Sequence, residues 1–150
     1  MIQFDPENSI VKLCALGMQR EGEGKPEEAA TLFQQAWDEA ITDVEKFIAA
    51  HYIARHQSTV ADKLKWDETA LNHALKIGST EIKTVYPSLY LNIAKCYEDI
   101  NDLDRSYEGY QLAFTFVSFL PNDGYGNMIR SGINKGMERV NAKMYKSKND

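Results

Sequence analysis

Residues 16–36 read LGMQREGEGKPEEAATLFQQA, and residues 93–113 read IAKCYEDINDLDRSYEGYQLA. The two stretches share a pattern at a shift of 77 positions: Leu16-Gly17, Arg20, Gly24, Ala29, Phe33 and Ala36 in the first, Ile93-Ala94, Tyr97, Asn101, Ser106, Tyr110 and Ala113 in the second. Each is a small residue in one apolar-periodic segment, a turn, then small–large–small in the next. Small residues let two helices approach closely, and the aromatic fills the gap beside them.

Period-3.6 patterning runs through the rest of the chain, with little period-2 alternation and no Asn-Gly hairpin turns. A first helix starts at Asn8 or Ser9 and stops at Gly22–Gly24. Pro26 opens the second, with Glu27 and Glu28 in its first turn and Ala29, Leu32, Phe33, Ala36, Trp37 and Ala40 inward. Thr42 or Asp43 caps a third, carrying Val44, Phe47, Ile48, His51, Tyr52, Arg55 and His56. A fourth is expected from about Trp66 to Ile77, ended by Gly78. A fifth begins between Ser79 and Ser88, with Pro87 in its first turn or at a kink near its start, and Asp102 caps the sixth, with Leu103, Ser106, Tyr107, Tyr110, Ala113, Phe114 and Val117 inward. After a Pro121-Asn122-Asp123-Gly124 turn, a seventh helix places Met128, Ile129, Ile133, Met137, Val140 and Met144 on one face and basic residues on the other. Residues 146–150 are expected as a frayed tail.

This arrangement resembles the tetratricopeptide repeat, a helix–turn–helix unit of about 34 residues. Two such periods span about 68 residues, so the middle repeat carries roughly 9 extra, placed at residues 57–65. The resemblance covers residues 8–120 and implies an all-α fold: a right-handed α-α superhelix of three helical hairpins (about 8–41, 43–78 and 84–120) with a capping helix over about 124–146, all in one domain. Leu13 and Tyr90 stand where the family commonly has tryptophan, Ile41 and Ser118 where it has proline, and the middle repeat aligns on Ala70 or Thr69.

The family implies non-catalytic binding of a peptide or partner protein along a concave groove lined by the first helix of each repeat. By position, that groove takes Val11, Cys14 and Met18, then Phe47, His51 and Arg55, then Ser88, Leu91, Lys95 and Glu98. Soft apolar residues mixed with a few charges suit a peptide with one or two apolar anchors. Some members clamp a C-terminal carboxylate with lysines, asparagines and an arginine. Here only Lys95, Asn92 and Arg55 stand near such places and Met18 occupies one of them, so the set is incomplete.

The sequence offers little to an enzyme. Gly22-Glu23-Gly24-Lys25 lacks the earlier glycine, the hydroxyl residue and the preceding strand of a phosphate loop. His51 and His56 are five apart and diverge on a helix, while His73 reads as a satisfied, partly buried side chain. No metal or cofactor is expected. Cys14 and Cys96 read as buried reduced thiols. No secretory signal or membrane-spanning run is visible, so a cytoplasmic location is expected. The net charge of −5 argues against nucleic acid, yet residues 124–150 hold six basic side chains against two acidic, and the remainder eleven against twenty. A basic last helix packed on an acidic body accounts for this. An RNA-associated role for that helix, and a small-molecule site of an enzyme or enzyme-accessory protein near Tyr125, are the alternatives. Phe116 and Phe119 fall off the inward stripe of the sixth helix, either covering the last helix or forming a self-association patch that would make a homo-oligomer.

Overall fold

The computed structural model describes residues 4–149. It contains seven α-helices: α1 (Ser9–Gly22), α2 (Pro26–Glu39), α3 (Asp43–Ala54), α4 (Val60–Leu75), α5 (Tyr86–Asp99), α6 (Leu103–Thr115) and α7 (Gly124–Asn149). Short 3-10 turns lie at Thr80–Thr84 and Val117–Phe119. There is no strand among the described residues, so the all-α expectation holds. The chain divides into two compact units, one ending at Gly78 and one beginning at Ser79. The first contains α1–α4 and the second α5–α7.

The 77-residue shift survives at atomic detail. Helices α1 and α5 end in the same way. Lys25 N donates to Arg20 O at 2.9 Å, and Asp102 N donates to Tyr97 O at 2.9 Å. The residue before each, Gly24 (φ 75°) and Asn101 (φ 63°), takes the left-handed conformation that such a helix end needs. Glycine does so freely, and asparagine is among the side chains that tolerate it. The following helix starts at once in both cases: Pro26 fixes the first turn of α2, and the Asp102 carboxylate accepts from Arg105 N at 3.2 Å.

Close approach follows from the small residues. A Cβ on Gly17 would lie 2.3 Å from Phe33 Cε1, so the ring of α2 rests directly on the α1 backbone. In the second unit Gly109 lies against Ala94, and Ser106, which replaces the alanine at position 29, satisfies its hydroxyl on Ala94 O at 2.8 Å. Phe33 and Tyr110 are both completely buried. Each ring then meets a third helix. Phe33 stacks on Tyr52 of α3 (5.0 Å between centroids) and contacts His56 at 5.5 Å. Tyr110 lies against Gly136 of α7, where a Cβ would sit 2.2 Å from its Cε1.

The middle hairpin is the divergent one. Ala70, not Thr69, is its buried small position, and the expected large position four residues on is Ala74, also fully buried. Bulk comes instead from Trp37 and Trp66, packed edge-to-face at 5.0 Å. Helix α4 starts six residues before Trp66, because Thr59 caps it through Asp62 N at 3.1 Å. The extra length is therefore divided between this longer helix and the 3-10 turn before α5. His73 bonds Asp43 at 2.8 Å and is satisfied as expected.

Two further expectations are corrected. Phe114 and Met128 are 53% and 61% exposed, since the buried face of α7 is Ile129, Ile133, Gly136 and Val140. Phe116 contacts Tyr86 at 5.1 Å and Tyr90 at 6.0 Å, and Phe119 follows it with Lys83 over its ring. Helix α7 runs on to Asn149 rather than fraying from Lys146, and Asp150 lies outside the described residues.

The glycine contacts give a paired prediction. Gly17→Ala should destabilise the protein by about 1–3 kcal/mol through overpacking. Gly22→Ala, with nothing within 4 Å of its Cβ, should be neutral or stabilising by up to about 1 kcal/mol. Urea unfolding of both variants checks this, and equal midpoints would remove Phe33 from its socket.

Candidate protein-binding face

Helices α1 and α3 of the first unit run side by side and are joined at both ends. At the start, Asn8 caps α1 through Ile10 N (2.8 Å) and Val11 N (3.1 Å), and its amide donates to Glu45 Oε1 at 3.0 Å. Glu45 itself closes the capping box of α3 with Thr42. Backbone N–H groups of Ile41 and Thr42, together with Asn8, hold its carboxyl below the usual range despite some desolvation. At the other end, Arg55 Nη2 donates to Glu21 Oε2 at 2.5 Å. The Arg55 guanidinium also lies 5.1 Å over the Tyr52 ring.

Helix α7 stands to α5 as α3 stands to α1. Arg139 donates Nε to Glu98 Oε2 and Nη2 to Glu98 Oε1, both at 3.0 Å. Lys143 Nζ adds a bond to Oε2 at 3.1 Å, and the Tyr110 hydroxyl donates to Oε1 at 2.8 Å. Glu98 is the 77-residue counterpart of Glu21. Burial alone would raise its pKa, but the bonds from Arg139, Tyr110 and Lys143 outweigh that and hold it at about 2.

The expected groove residues divide by what they touch. In the first unit Met18 is 46% exposed on α1, and Leu16, 37% exposed, points to the opposite side of the helix. Cys14 and Phe47 are buried instead. Cys14 faces the core with its thiol pushed up to about 12 by burial, and Phe47 packs on Phe4 at 6.3 Å. His51 is partly exposed, but its Nδ1 is sealed from water without a partner. Burial, then the nearby Arg55 and Lys63 charges, lower its pKa to about 4. Arg55, expected as an open cation, is engaged by Glu21. In the second unit Lys95 is exposed and pairs with Asp99. Leu91 and Glu98 are taken by α7: Leu91 lies 3.2 Å from the Cβ position of Gly132, and Glu98 holds the two cations described above.

Sequence reasoning missed Glu21, and it placed Asn8 at the start of α1 and His56 at the end of the third helix without their partners Glu45 and Glu21. Glu21 had a signal, since it obeys the same 77-residue shift as the rest of the ladder. The Asn8–Glu45 and His56–Glu21 contacts had none, because they cross between helices. The basic face of α7 is partly internal: Arg130 donates to Pro121 O and Leu120 O, and Arg139 and Lys143 bind Glu98. Among the described residues no group of three His, Cys, Asp or Glu is placed to hold a metal ion, and no helix is long and apolar enough to cross a membrane.

The chain is similar in structure to PcrH from Pseudomonas aeruginosa, with a TM-score of 0.64 at 18% identity, covering 94% of this chain and 98% of that one. No protein-family model matches the chain, and no curated protein matches it. The likeness is one of fold: helical hairpins in succession.

Acid reads the two units separately. Glu98 has a folded pKa below the ordinary carboxylate value, so its stabilisation is complete above about pH 5 and is lost as the pH falls toward 2. His51 has a folded pKa below 6.5, so its contribution is complete above about pH 7 and is lost between 6.5 and about 4. His51→Leu should flatten the melting temperature between pH 7 and 4. Glu98→Gln should flatten it only below about pH 5, while destabilising the neutral protein by about 1–3 kcal/mol, because the charge-assisted bonds are lost but the half-exposed Arg139 and Lys143 can turn to water. Melting curves across this range check both, and unchanged slopes would contradict the assignment.

Proposed function

We propose that the chain is a non-catalytic protein-interaction scaffold of the tetratricopeptide-like kind, which holds a peptide or a partner protein against its first helices. Hairpins α1–α2, α3–α4 and α5–α6 are its three repeats, and α7 is the closing helix. The observation that carries the reading is the outer face of α1. Its other face is buried through Ile10, Cys14 and Gly17, while Met18, on the flank of that face, remains 46% exposed; Leu16, two residues earlier, points to the far side of the helix. Arg55 and the Tyr52 ring lie on the neighbouring α3. A guanidinium over an aromatic ring is a composition that recurs at binding hot spots.

The closing role of α7 is supported by its sequence. With Arg139 registered on Arg55, the buried α3 residues Phe47, Ala50 and Ala54 correspond to Ser131, Asn134 and Glu138. All three are polar and exposed. A helix with that face has nothing to offer a further hairpin, as a terminal repeat requires.

Display of a random peptide library on the intact chain tests the reading. The expected result is an enriched peptide class whose binding falls at least tenfold in Met18→Glu, with the melting temperature unchanged because the side chain is exposed. Absence of any enriched peptide, or binding that survives Met18→Glu, would contradict it.

A further inference from the structure

Three buried side-chain atoms among the described residues have no hydrogen-bond partner: Glu21 Oε1, His51 Nδ1 and His56 Nε2. Glu21 lies on α1, His51 on α3, and His56 two residues beyond the end of α3. His56 Nε2 is 3.4 Å from Glu21 Oε2. The equivalent carboxylate in the second unit is fully satisfied, and the contrast has a cause in the sequence. Phe33 stands where Tyr110 stands, so no hydroxyl is available to Glu21 as Tyr110 serves Glu98 Oε1. Helix α3 ends at Ala54, whereas α7 continues past Arg139 and brings Lys143 onto the same carboxylate. Glu21 thus has one full cation where Glu98 has two and a hydroxyl.

An acceptor sealed from water without a partner is costly, and natural proteins retain such atoms mainly where they have a use. The charge distribution indicates which use. Residues 1–78 hold eight basic side chains against thirteen acidic, and residues 79–150 hold nine against nine. The whole net negative charge belongs to the unit with the unpartnered acceptor, which favours a basic visitor.

We propose that Glu21 is the anchor of the binding face for a basic side chain: an arginine or lysine of the protein partner enters beside Arg55 and donates to Glu21 Oε1. It takes there the part that Lys143 and Tyr110 take on Glu98. The proposal rests on the protein-binding reading above. The Glu21 and Arg55 side chains are 22% and 44% exposed, so the visitor reaches the carboxylate by pushing aside the end of Arg55, without opening the helix pair. Met18, three residues before Glu21 on α1 and exposed, offers its thioether to the aliphatic stem of the visitor.

The peptide library displayed on the intact chain also tests this. Enriched peptides should share an arginine or lysine at a fixed distance from an apolar residue. Replacing that arginine by citrulline, its neutral isostere, should weaken binding about ten- to a hundredfold, as should Glu21→Gln in the protein. Phe33→Tyr supplies the missing hydroxyl from within. It should raise the melting temperature and lower affinity for the basic peptide at least threefold, while peptides lacking the basic residue bind as before. Enrichment with no basic preference, or Phe33→Tyr raising stability with affinity for the basic peptide unchanged, overturns the anchor and leaves the scaffold reading standing. No enrichment at all removes both.

Discussion

Both units are organised by a buried aromatic ring at the meeting of three helices. Phe33 and Tyr110 are fully buried, and each is reached by a glycine that lets backbone and ring touch. The glycine is on α1 in the first unit (Gly17) and on α7 in the second (Gly136). The third side of the socket is closed by another helix. The ring is the largest fully buried side chain of each unit, and larger apolar side chains of the following helix, Phe47, Ile48 and Ile53 on α3 and Ile129, Ile133 and Val140 on α7, are buried with it.

The carboxylate at the end of the first helix in each unit then fixes how that next helix lies. Glu21 with Arg55, and Glu98 with Arg139, tie the same two places in the two units. Such pairs contribute more to geometry than to stability when half exposed. Glu98 is the buried case, with its bonds complete. The first unit keeps the same plan with less satisfaction, and that difference between two copies of one plan is the clearest pointer in the molecule to a binding role.

Much of this was legible in the sequence because it is local. The turn residues at positions 24 and 101, the small positions 29 and 106, and the rings at 33 and 110 are set by helix ends and helix spacing, which a periodic pattern records. The start of α4 was not legible. Thr59 caps a helix whose first turn, Val60 to Lys63, lacks an apolar stripe, so the pattern only becomes visible near Trp66. The partners of Phe116 were not legible either, because a 3-10 turn at Val117–Phe119 changes the side-chain period just after α6. The binding face was legible only by position: Cys14 and Phe47 have the right spacing for a groove, but their exposure is decided by neighbouring helices, and Leu91 and Glu98 are occupied by α7. Those contacts cross up to 45 residues of sequence, and nothing local encodes them.

The central claim is that α7 is the third helix of the second unit, seated on Tyr110 and held by Glu98, and not an appended basic tail. Amide hydrogen exchange on the full chain addresses it most directly. The account predicts that amides of residues 130–143 exchange with protection comparable to those of α5 and α6, rising and falling with them as the protein is destabilised. Exchange of residues 130–143 at the rate of an isolated helix, while α5 and α6 stay protected, would contradict it.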